Sequence, residues 1–428
     1  MRAYIKTYGC SLNQADSAVA KSILAGAGIE VSESAQESDI VIINSCTVKN
    51  ATAQKILYEL DNLRAAGRKV IVTGCMAGAN RDLIEKHFPE AGIVTTQNMD
   101  MLPRAMRDLA AGKKPINSGY KRLDRASLFP NTPIGTVAKV PISDGCLSAC
   151  TFCETKLARG PLNSFPEESI LNAISYSAQA GSAEIDLSSQ DCAAYGRDKG
   201  SNIAKLMAKI KGINGSFKVR IGMMNPERMH DYLDDMLSVM EESDRFYKFI
   251  HMPIESGSDR VLKDMKRKYS TADVEEMMKE IRSRLLGVTI ETDIIVGFPT
   301  ESESDFDDTV EFVRRAQPDV TNISRFGARP HAAASRLRQL DTETVNSRSN
   351  ELSREVRRVQ RALNEKHIGA THDTLITETT ESSHNGRNAA YKQIVVRGSN
   401  PFIKEGTHYN VVIDEVSANV LYGHVALG

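Results

Sequence analysis

Three closely spaced cysteines constrain this chain of 428 residues more than any other feature. Cys146, Cys150 and Cys153 form a C-x₃-C-x₂-C run that follows an apolar stretch. Three thiolates at this spacing can bind three irons of a [4Fe–4S] cluster and leave the fourth iron open to a small chelating ligand. A structural zinc ion normally needs four ligands, and the next histidine along the chain is His230. The run therefore predicts an iron–sulfur centre with one open iron, and a zinc site is the alternative.

The first hundred residues predict an open α/β sheet. Apolar runs indicate three buried strands separated by amphipathic helices, and the strands cover 2–8, 39–44 and 69–74. Cys10, Cys46 and Cys75 each lie within two residues of the carboxyl end of one of these strands. Sites in open α/β sheets form outside the carboxyl ends of the strands, so these cysteines are expected to converge as a second cluster site. The alternative is that each is a small buried packing residue.

From residue 136 onward, strand and helix signals alternate six times. The candidate strands cover 136–142, 184–187, 217–221, 247–251, 288–296 and 320–326. Six units of about 30 residues predict a partial (β/α)₆ barrel with its chemistry at the carboxyl ends of the strands. The C-x₃-C-x₂-C run follows the first strand, so its cluster would lie at the mouth of the barrel.

Polar residues on or just after the later barrel strands are candidate cofactor-binding residues, because strand ends on a barrel favour ligand contact. These candidates are Gln190, Asp191, Arg220, Glu255 and Ser256. A structural hydrogen bond is the alternative role for each. Cys192 also follows the second strand, and we interpret this seventh cysteine as a small packing residue.

Four regions follow from these patterns: an N-terminal cluster domain over 1–110, a linker over 111–135, the barrel with a trailing basic helix over 136–368, and a small β-barrel over 369–428. The linker is basic and contains proline and glycine. The trailing helix over 343–367 carries several basic residues, namely Arg348, Arg354, Arg357, Arg358, Arg361 and Lys366. A further basic loop contains Lys263, Lys266, Arg267 and Lys268. These segments and the final β-barrel are candidate RNA contacts, with a simply solvated surface as the alternative.

Composition narrows the class of protein. The chain is 41% hydrophobic and 25% charged, which is ordinary for a globular protein. Its formal net charge of −1 means that any RNA contact must come from local basic patches. No apolar run approaches the ~18 residues of a membrane span, and the N-terminus lacks the apolar core of a signal peptide. We therefore expect a cytoplasmic protein with no membrane partner, and a monomer.

The cysteine runs belong to a longer series of motifs that together resemble one family, the radical S-adenosylmethionine (SAM) methylthiotransferases. The motifs are YGCSLN (8–13), NSCTV (44–48), TGC (73–75), GCLSACTFCETKLARG (145–160), MPIESGSD (252–259), DIIVGFPTE (293–301) and ARP (328–330). They occur in order over nearly the whole chain. The resemblance implies an N-terminal cluster domain, a radical-SAM barrel and a C-terminal TRAM β-barrel.

The resemblance also implies two [4Fe–4S] clusters and SAM as cofactors. The cluster on Cys146, Cys150 and Cys153 would bind SAM and reduce it by one electron, supplied by a donor of unknown identity. The resulting radical would attack C2 of an adenine, an unactivated C–H position, while the cluster on Cys10, Cys46 and Cys75 would carry the methylated sulfur.

Within the family, residues 44–50 and 153–160 look like the archaeal and eukaryotic branch, which modifies N6-threonylcarbamoyladenosine (t⁶A) at position 37 of the tRNA anticodon loop. Isopentenyladenosine in tRNA and an aspartate of a ribosomal protein are alternative substrates. A non-catalytic iron–sulfur protein that binds RNA is an alternative of another class. One departure is that Pro330 precedes His331 and Ala332, where the family usually has a Gly-Thr pair, so we assign no catalytic role to that loop.

Overall fold

A computed structural model of the protein describes residues 1–47, 50–129 and 135–426. The N-terminal unit is an open, fully parallel sheet with the strand order β2-β1-β3-β4-β5-β6. Its strands are β1 (Arg2–Thr7), β2 (Glu30–Ser32), β3 (Ile40–Ser45), β4 (Lys69–Gly74), β5 (Gly92–Val94) and β6 (Ile116–Asn117). Its helices are α1 (Ser11–Gly26), α2 (Asn50–Ala65), α3 (Cys75–Ala79), α4 (Arg81–His87) and α5 (Leu102–Ala110), with a 3₁₀ helix at Thr96–Met101.

The order of the strands explains where a site can form in this unit. The chain moves to one side of β1 to make β2 and then crosses to the other side to make β3. A crevice opens at such a switch point, outside the carboxyl ends of the strands. All six residues of β3 are buried, as expected of a central parallel strand covered on both faces. The open α/β sheet predicted from the sequence is confirmed.

The linker predicted over 111–135 is more ordered than its composition indicates. Ile116–Asn117 add the sixth strand of the N-terminal sheet, and Arg125 is fully buried. Residues 130–134, which contain two of the predicted linker prolines, lie outside the described residues. The folded N-terminal unit therefore extends past residue 110, because backbone pairing with β5 overrides the polar composition of this stretch.

The central unit is a partial barrel of six parallel strands. Its strands are β7 (Val137–Pro141), β10 (Glu184–Ser188), β11 (Lys218–Ile221), β12 (Phe249–His251), β13 (Thr289–Val296) and β14 (Val320–Arg325), while β8 (Ser143–Asp144) and β9 (Asn163–Ser164) form a separate pair. The six barrel strands form two rows, β7-β10-β11 and β12-β13-β14. The rows meet at an isolated parallel bridge between Val219 on β11 and Phe246, which lies just before β12. Each of the six predicted strands is present within two residues of its expected bounds.

The helices of this unit lie outside the barrel, apart from α6, which lies at its mouth against α3. They are α6 (Thr155–Arg159), α7 (Glu167–Gln179), α8 (Ile203–Ile210), α9 (Pro226–Met229), α10 (Leu233–Glu241), α11 (Asp259–Asp264), α12 (Thr271–Arg284) and α13 (Glu303–Ala316), with 3₁₀ helices at Cys192–Ala194, His230–Tyr232 and Ala333–Arg336. Apolar strand residues such as Ile185 and Val219 pack with these helices in one large core. Alternation along each strand turns residues such as Asp186, Arg220 and His251 to the opposite face, so the interior of the barrel is polar.

The C-terminal unit is a closed five-stranded barrel that follows the long helix α14 (Thr342–Glu365). Its strands are β15 (Thr371–Thr379), β16 (Ser383–Asn388), β17 (Gln393–Arg397), β18 (His408–Val416) and β19 (Leu421–Val425). Alternating side chains such as Ile376, Ile394 and Ile413 fill its core. The predicted small β-barrel is confirmed. Among the described residues, no helix is both long and apolar enough to cross a membrane.

Tyr391 joins the C-terminal barrel to the central one. It adopts a left-handed backbone conformation (φ 61°) in the turn between β16 and β17. Its ring centroid lies 4.8 Å from that of Tyr247 and 4.9 Å from that of Phe249. Its hydroxyl donates to Glu184 Oε1 at 3.4 Å. These contacts insert one side chain of the small barrel into the amino-terminal end of the large one, which fixes how the two barrels sit.

The substitution Tyr391→Ala tests this contact. It should lower the free energy of unfolding by about 2–3 kcal/mol, less than for a fully buried aromatic ring because Tyr391 is only partly buried. Chemical denaturation followed by circular dichroism measures this change, and limited proteolysis should cut first between the two barrels. The control Tyr391→Phe keeps the ring and should change stability by less than about 1 kcal/mol, because it removes a single long hydrogen bond. Equal effects of the two substitutions would contradict the packing role of the ring.

Candidate active site

Three cysteines converge at the switch point of the N-terminal sheet. Cys10 precedes α1, Cys46 follows β3, and Cys75 begins α3 directly after β4. A Cβ atom on Gly9 would lie 2.8 Å from Cβ of Cys46, and the φ of Gly9 is 108°, so only glycine fits here. Cys10 is exposed, whereas Cys46 and Cys75 are buried. We call these three residues the N-terminal cysteine set.

Asn13 lies between the thiols of this set. Its Oδ1 atom is 3.5 Å from Sγ of Cys10 and 3.9 Å from Sγ of Cys75. Its amide nitrogen donates to the carbonyl oxygen of Ser45 at 2.8 Å, next to Cys46. The Asn13 side chain thus lies near the thiols of Cys10 and Cys75 and bonds to the residue before Cys46. Residues that are distant in the sequence therefore come together at the carboxyl ends of these strands.

The second set of cysteines occupies a loop at the mouth of the central barrel. Cys146, Cys150 and Cys153, the barrel cysteine set, follow β7 and β8. Backbone contacts anchor the loop: the amide of Thr151 donates to the carbonyl oxygen of Met265 at 3.2 Å, and its hydroxyl donates to that of Asp264 at 2.9 Å. Hydrogen bonds to the backbone at the end of α11 therefore fix the position of the loop that carries the three thiols.

Both sets have the donor chemistry that a [4Fe–4S] cluster needs. All six cysteines are reduced thiols outside any disulfide. Burial raises the pKa of Cys146 and Cys150, and it raises that of Cys75 to about 11 despite the nearby Arg159 guanidinium. Such thiols form thiolates when a metal takes the place of the proton. Among the described residues, no three His, Cys, Asp or Glu side chains are close enough together to bind one metal ion. A [4Fe–4S] cluster does not need such a group, because each thiolate binds a different iron.

Arg267 lies beneath the barrel cysteine set. Its Nη1 atom donates to Sγ of Cys150 at 3.3 Å, and its Nη2 atom donates to Oδ1 of Asn225 at 3.3 Å. Asn225 in turn donates to the hydroxyl of Ser148 at 3.2 Å. Arg267 belongs to the basic loop that is a candidate RNA contact on sequence, but its guanidinium points to the cysteine loop and does not form part of an RNA-binding surface. Because Arg267 stands between Lys266 and Lys268, nothing in the sequence distinguishes it from the other basic residues of this loop.

Two of the predicted cofactor-binding residues present unpaired acceptors at the carboxyl end of β10. Within the described part of the chain, Oε1 of Gln190 and Oδ2 of Asp191 are buried and have no hydrogen-bond partner. The other oxygen of Asp191 accepts from the backbone amides of Ala193 and Asn225, each at 3.0 Å. Buried acceptors without partners are costly, so these atoms fit a ligand that brings N–H or O–H donors.

Glu255 follows β12 in a strained conformation with φ 74°. Its amide donates to the carbonyl oxygen of Asp293 at 2.8 Å. Burial raises the pKa of its carboxyl to about 7, while the nearby Arg267 guanidinium opposes the shift. The strained backbone and the partly neutral carboxyl place Glu255 among the groups that can contact a ligand at the mouth.

The structure does not bring the other two predicted cofactor residues to the mouth. Ser256 is buried, and its hydroxyl accepts from the backbone amide of Ser258 at 3.2 Å, so it supports the loop before α11. The Arg220 guanidinium carbon lies 4.9 Å from the ring centroid of Phe249 and 5.2 Å from that of Tyr391. Its cation therefore stacks between two aromatic rings at the interface with the C-terminal barrel.

The two cysteine sets lie on either side of a close contact between α3 and α6. A Cβ atom on Gly78 would lie 2.3 Å from the carbonyl oxygen of Ala158, so glycine permits this approach. Glu154, next to Cys153, accepts from the hydroxyl of Thr47 at 3.1 Å. The residue that follows a barrel cysteine is thus hydrogen-bonded to the residue that follows Cys46 in the N-terminal set.

Arg329 lies between the two sets. Burial lowers the pKa of its guanidinium, and the nearby Glu154, Cys46 and Cys153 oppose that shift. The backbone amide of His331 donates to Oε1 of Glu154 at 2.9 Å. The residues after Pro330 depart from the family pattern, but the Arg329 cation just before them is close enough to interact electrostatically with one cysteine of each set.

A buried network of four charges joins the two units behind the cysteines. Nη2 of Arg159 is 2.6 Å from Oδ2 of Asp16, and its Nη1 is 3.3 Å from Oδ1 of Asp144. Arg125 pairs with the same two carboxylates and lies 3.0 Å from Asp144. The side chains are at most 6% exposed. Two cations balance two anions, which is the condition for burying charge at all.

Comparison with known proteins agrees with this division into units. Residues 2–96 match the model of an uncharacterized protein family, UPF0004, and residues 140–313 match that of the radical SAM superfamily. A probable threonylcarbamoyladenosine tRNA methylthiotransferase of Pyrococcus abyssi is 35% identical over 432 residues and is aligned over 99% of both chains. The human threonylcarbamoyladenosine tRNA methylthiotransferase is 32% identical, over 92% of this chain and 69% of its own.

The chain belongs to the threonylcarbamoyladenosine tRNA methylthiotransferase family. The resemblance inferred from the motifs is thereby confirmed, and the central unit is a radical-SAM domain. Solved structures support the fold alone. The radical S-adenosylmethionine methyltransferase TsrM of Kitasatospora setae superposes with a TM-score of 0.58 at 11% identity, over 90% of this chain and 78% of that chain. The cobalamin-dependent radical enzyme OxsB gives 0.54, over 78% and 54%.

The buried charges of this family member allow a direct test. The substitution Asp16→Asn removes one anion and leaves two buried guanidinium groups against a single carboxylate. Breaking such a network should cost about 3–5 kcal/mol of unfolding free energy, measured by denaturant titration. The control Asp108→Asn on α5 removes an exposed pair with Arg104 and should cost at most about 1 kcal/mol. A similar small loss at both positions would show that the network does not hold the units together.

Proposed function

We propose that this protein is a two-cluster radical-SAM enzyme that adds a methylthio group to C2 of t⁶A at position 37 of tRNA. The observation that carries the proposal is the placement of two three-cysteine sets, one on each unit, on either side of the α3–α6 contact. The names of the relatives, which specify threonylcarbamoyladenosine and tRNA, support the substrate. The product 2-methylthio-t⁶A and the presence of two clusters are part of the proposal.

The residues have distinct roles under this proposal. Cys146, Cys150 and Cys153 would hold the cluster that binds SAM, and Cys10, Cys46 and Cys75 would hold the auxiliary cluster. With SAM bound, the barrel cluster would supply the electron that splits SAM into methionine and a radical able to remove the hydrogen of an unactivated adenine C–H bond. The auxiliary cluster would carry the sulfur, methylated by a second SAM molecule, that replaces this hydrogen. Gln190 and Asp191 would accept hydrogen bonds from the SAM amine or ribose hydroxyls, and Glu255 would lie beside them. A one-electron donor of unidentified nature is required.

The adenine must reach the space between the cysteine sets, so the base has to leave its stack. Arg329 would face it there, since this cation lies beside Cys46 and Cys153.

The basic helix α14 supplies only part of the predicted RNA-binding surface. Arg348 is buried and pairs with Glu301 at 2.8 Å, so it stabilises the barrel rather than an RNA complex. Arg358 and Arg361 pair with neighbouring glutamates on the same helix. Arg354, Arg357 and Lys366 are exposed, and these three with the C-terminal barrel remain candidates for phosphate contact. Affinity for tRNA that depends on them should fall as salt rises.

Removal of one auxiliary ligand separates the two halves of the reaction. The substitution Cys10→Ala should leave reductive cleavage of SAM to 5′-deoxyadenosine intact and should lower methylthiolated product at least ~100-fold, since loss of an outer-shell partner alone typically costs about 10–100-fold and Cys10 would be a direct ligand. Liquid chromatography with mass spectrometry measures both products. The control Cys192→Ala changes a buried cysteine outside both sets and should retain product formation. Methylthiolated product from the Cys10→Ala variant would refute the auxiliary-cluster role.

The reaction and substrate are tested together by nucleoside mass spectrometry after anaerobic incubation of the protein with SAM, reductant and t⁶A-containing tRNA. We expect a new 2-methylthio-t⁶A peak. Matched tRNA carrying isopentenyladenosine, and the ribosomal protein that bears the candidate aspartate, should stay unmodified. SAM cleavage without modified tRNA would reject the substrate. Loaded clusters with no SAM cleavage would support an iron–sulfur protein that binds RNA without catalysis.

A further inference from the structure

A short helix connects one cysteine set to the other. The five-residue helix α6 begins two residues after Cys153 and ends at Arg159. Arg159 is 1% exposed, and its Nε atom donates to Sγ of Cys75 at 3.2 Å. Arg159 belongs to the central barrel, whereas Cys75 belongs to the N-terminal unit. A barrel residue thus contacts a thiol of the auxiliary site across the interface of the two units.

Arg159 uses its remaining nitrogens to fix the direction of this contact. Its Nη2 atom donates to Oδ1 of Asn13 at 3.2 Å and to Oδ2 of Asp16 at 2.6 Å, and its Nη1 donates to Oδ1 of Asp144 at 3.3 Å. A planar guanidinium held at three nitrogens has one orientation. The N–H that points at Cys75 is therefore preorganised by groups on both units.

Arg125 provides an internal comparison. It is equally buried, belongs to the same network and pairs with the same two carboxylates. No contact between Arg125 and a cysteine occurs among the described residues. Both arginines therefore balance the charge of the two buried carboxylates. Of the two, Arg159 also donates a hydrogen bond to the sulfur of Cys75.

We propose that Arg159 is a positioning residue of the auxiliary site, which orients Cys75 and makes an iron–sulfur cluster on the N-terminal cysteine set easier to reduce. This inference rests on the proposed function, since it requires a cluster on Cys10, Cys46 and Cys75. Hydrogen bonds to cluster sulfurs and nearby charge are the means by which a protein sets the reduction potential. A cation beside a thiolate ligand stabilises the reduced cluster, which carries one more negative charge.

The geometry adds a consequence for the whole enzyme. Because Arg159 reaches Cys75 only when the barrel and the N-terminal unit are docked, the reduction potential of the auxiliary site depends on that docking. Because α6 runs directly from the barrel cysteine loop, a displacement of Cys153 also displaces the donor to Cys75. The two cluster sites are therefore linked by five residues of rigid backbone as well as by proximity.

The test uses full-length protein in which Cys146, Cys150 and Cys153 are all replaced by alanine, so that only the auxiliary site can hold iron. Iron content and the midpoint potential, followed by electron paramagnetic resonance during a redox titration, are measured in this background with and without Arg159→Gln. The matched control is Arg125→Gln. Both substitutions remove one cation from the network, but only Arg159→Gln also removes the hydrogen bond to Cys75. We therefore expect Arg159→Gln to shift the midpoint potential to a clearly more negative value than Arg125→Gln does.

Each result has a separate meaning. A background protein that binds no iron would refute the auxiliary cluster and with it the proposed function. If the background protein binds iron and the two glutamine variants have equal midpoint potentials, the proposed role of Arg159 is overturned, whereas the auxiliary cluster is not. If the glutamine variants do not fold, Arg159→Lys keeps the charge but not the fork of donors, and it should still shift the potential to a more negative value. An unchanged potential in Arg159→Lys would then contradict the proposal.

Discussion

The four buried charges of Asp16, Asp144, Arg125 and Arg159 determine how the two cluster-bearing units meet. Buried ion pairs contribute little net stability compared with apolar packing, but loss of one partner is costly. Such a network therefore selects one docking geometry and penalises every other. Asp144 lies two residues before Cys146, and Asp16 lies six residues after Cys10. Arg159 likewise lies six residues after Cys153, so three of the four charges are within six residues of a cysteine that needs alignment.

Parallel-strand geometry supplies the other half of the arrangement. The carboxyl ends of β1, β3 and β4 lie at one edge of the N-terminal sheet, and β7 delivers the barrel cysteine loop in the same way. Close approaches at Gly9 and Gly78 then let backbone and thiols come together where a side chain would block them. Two separate α/β units, each with its site at the strand ends, are thereby placed mouth to mouth.

Much of this could be predicted from the sequence because it depends on local pattern. The apolar runs at 39–44 and 69–74 marked buried strands, and cysteines at their ends marked a site. The C-x₃-C-x₂-C run needed no tertiary information at all. Strands β2, β5 and β6 were missed because two or three paired residues carry no periodic signal. The position of Ser256 after β12 predicts a place at the mouth. The sequence gives no indication of the direction of its side chain, which the structure turns to the backbone amide of Ser258.

The arginines show the limit of sequence reasoning most clearly. Arg125, Arg159, Arg267 and Arg329 all lie near the cysteine sets, yet the sequence offered two of them only as members of basic segments. The role of a cation depends on which carboxylate or thiol it meets, and those partners are distant along the chain, as for Arg159 and Asp16, which are 143 residues apart. Arg348 illustrates the same point, since its partner Glu301 removes it from the RNA-binding surface.

The central claim is that each of the two cysteine sets holds its own cluster. Iron and sulfide analysis of the anaerobically reconstituted protein, together with the two variants that lack either set, tests it most directly. The account predicts about eight irons per chain in the unmodified protein and about four in each triple-alanine variant, since each [4Fe–4S] cluster contributes four. About four irons in the unmodified protein, retained when Cys10, Cys46 and Cys75 are replaced, would contradict it.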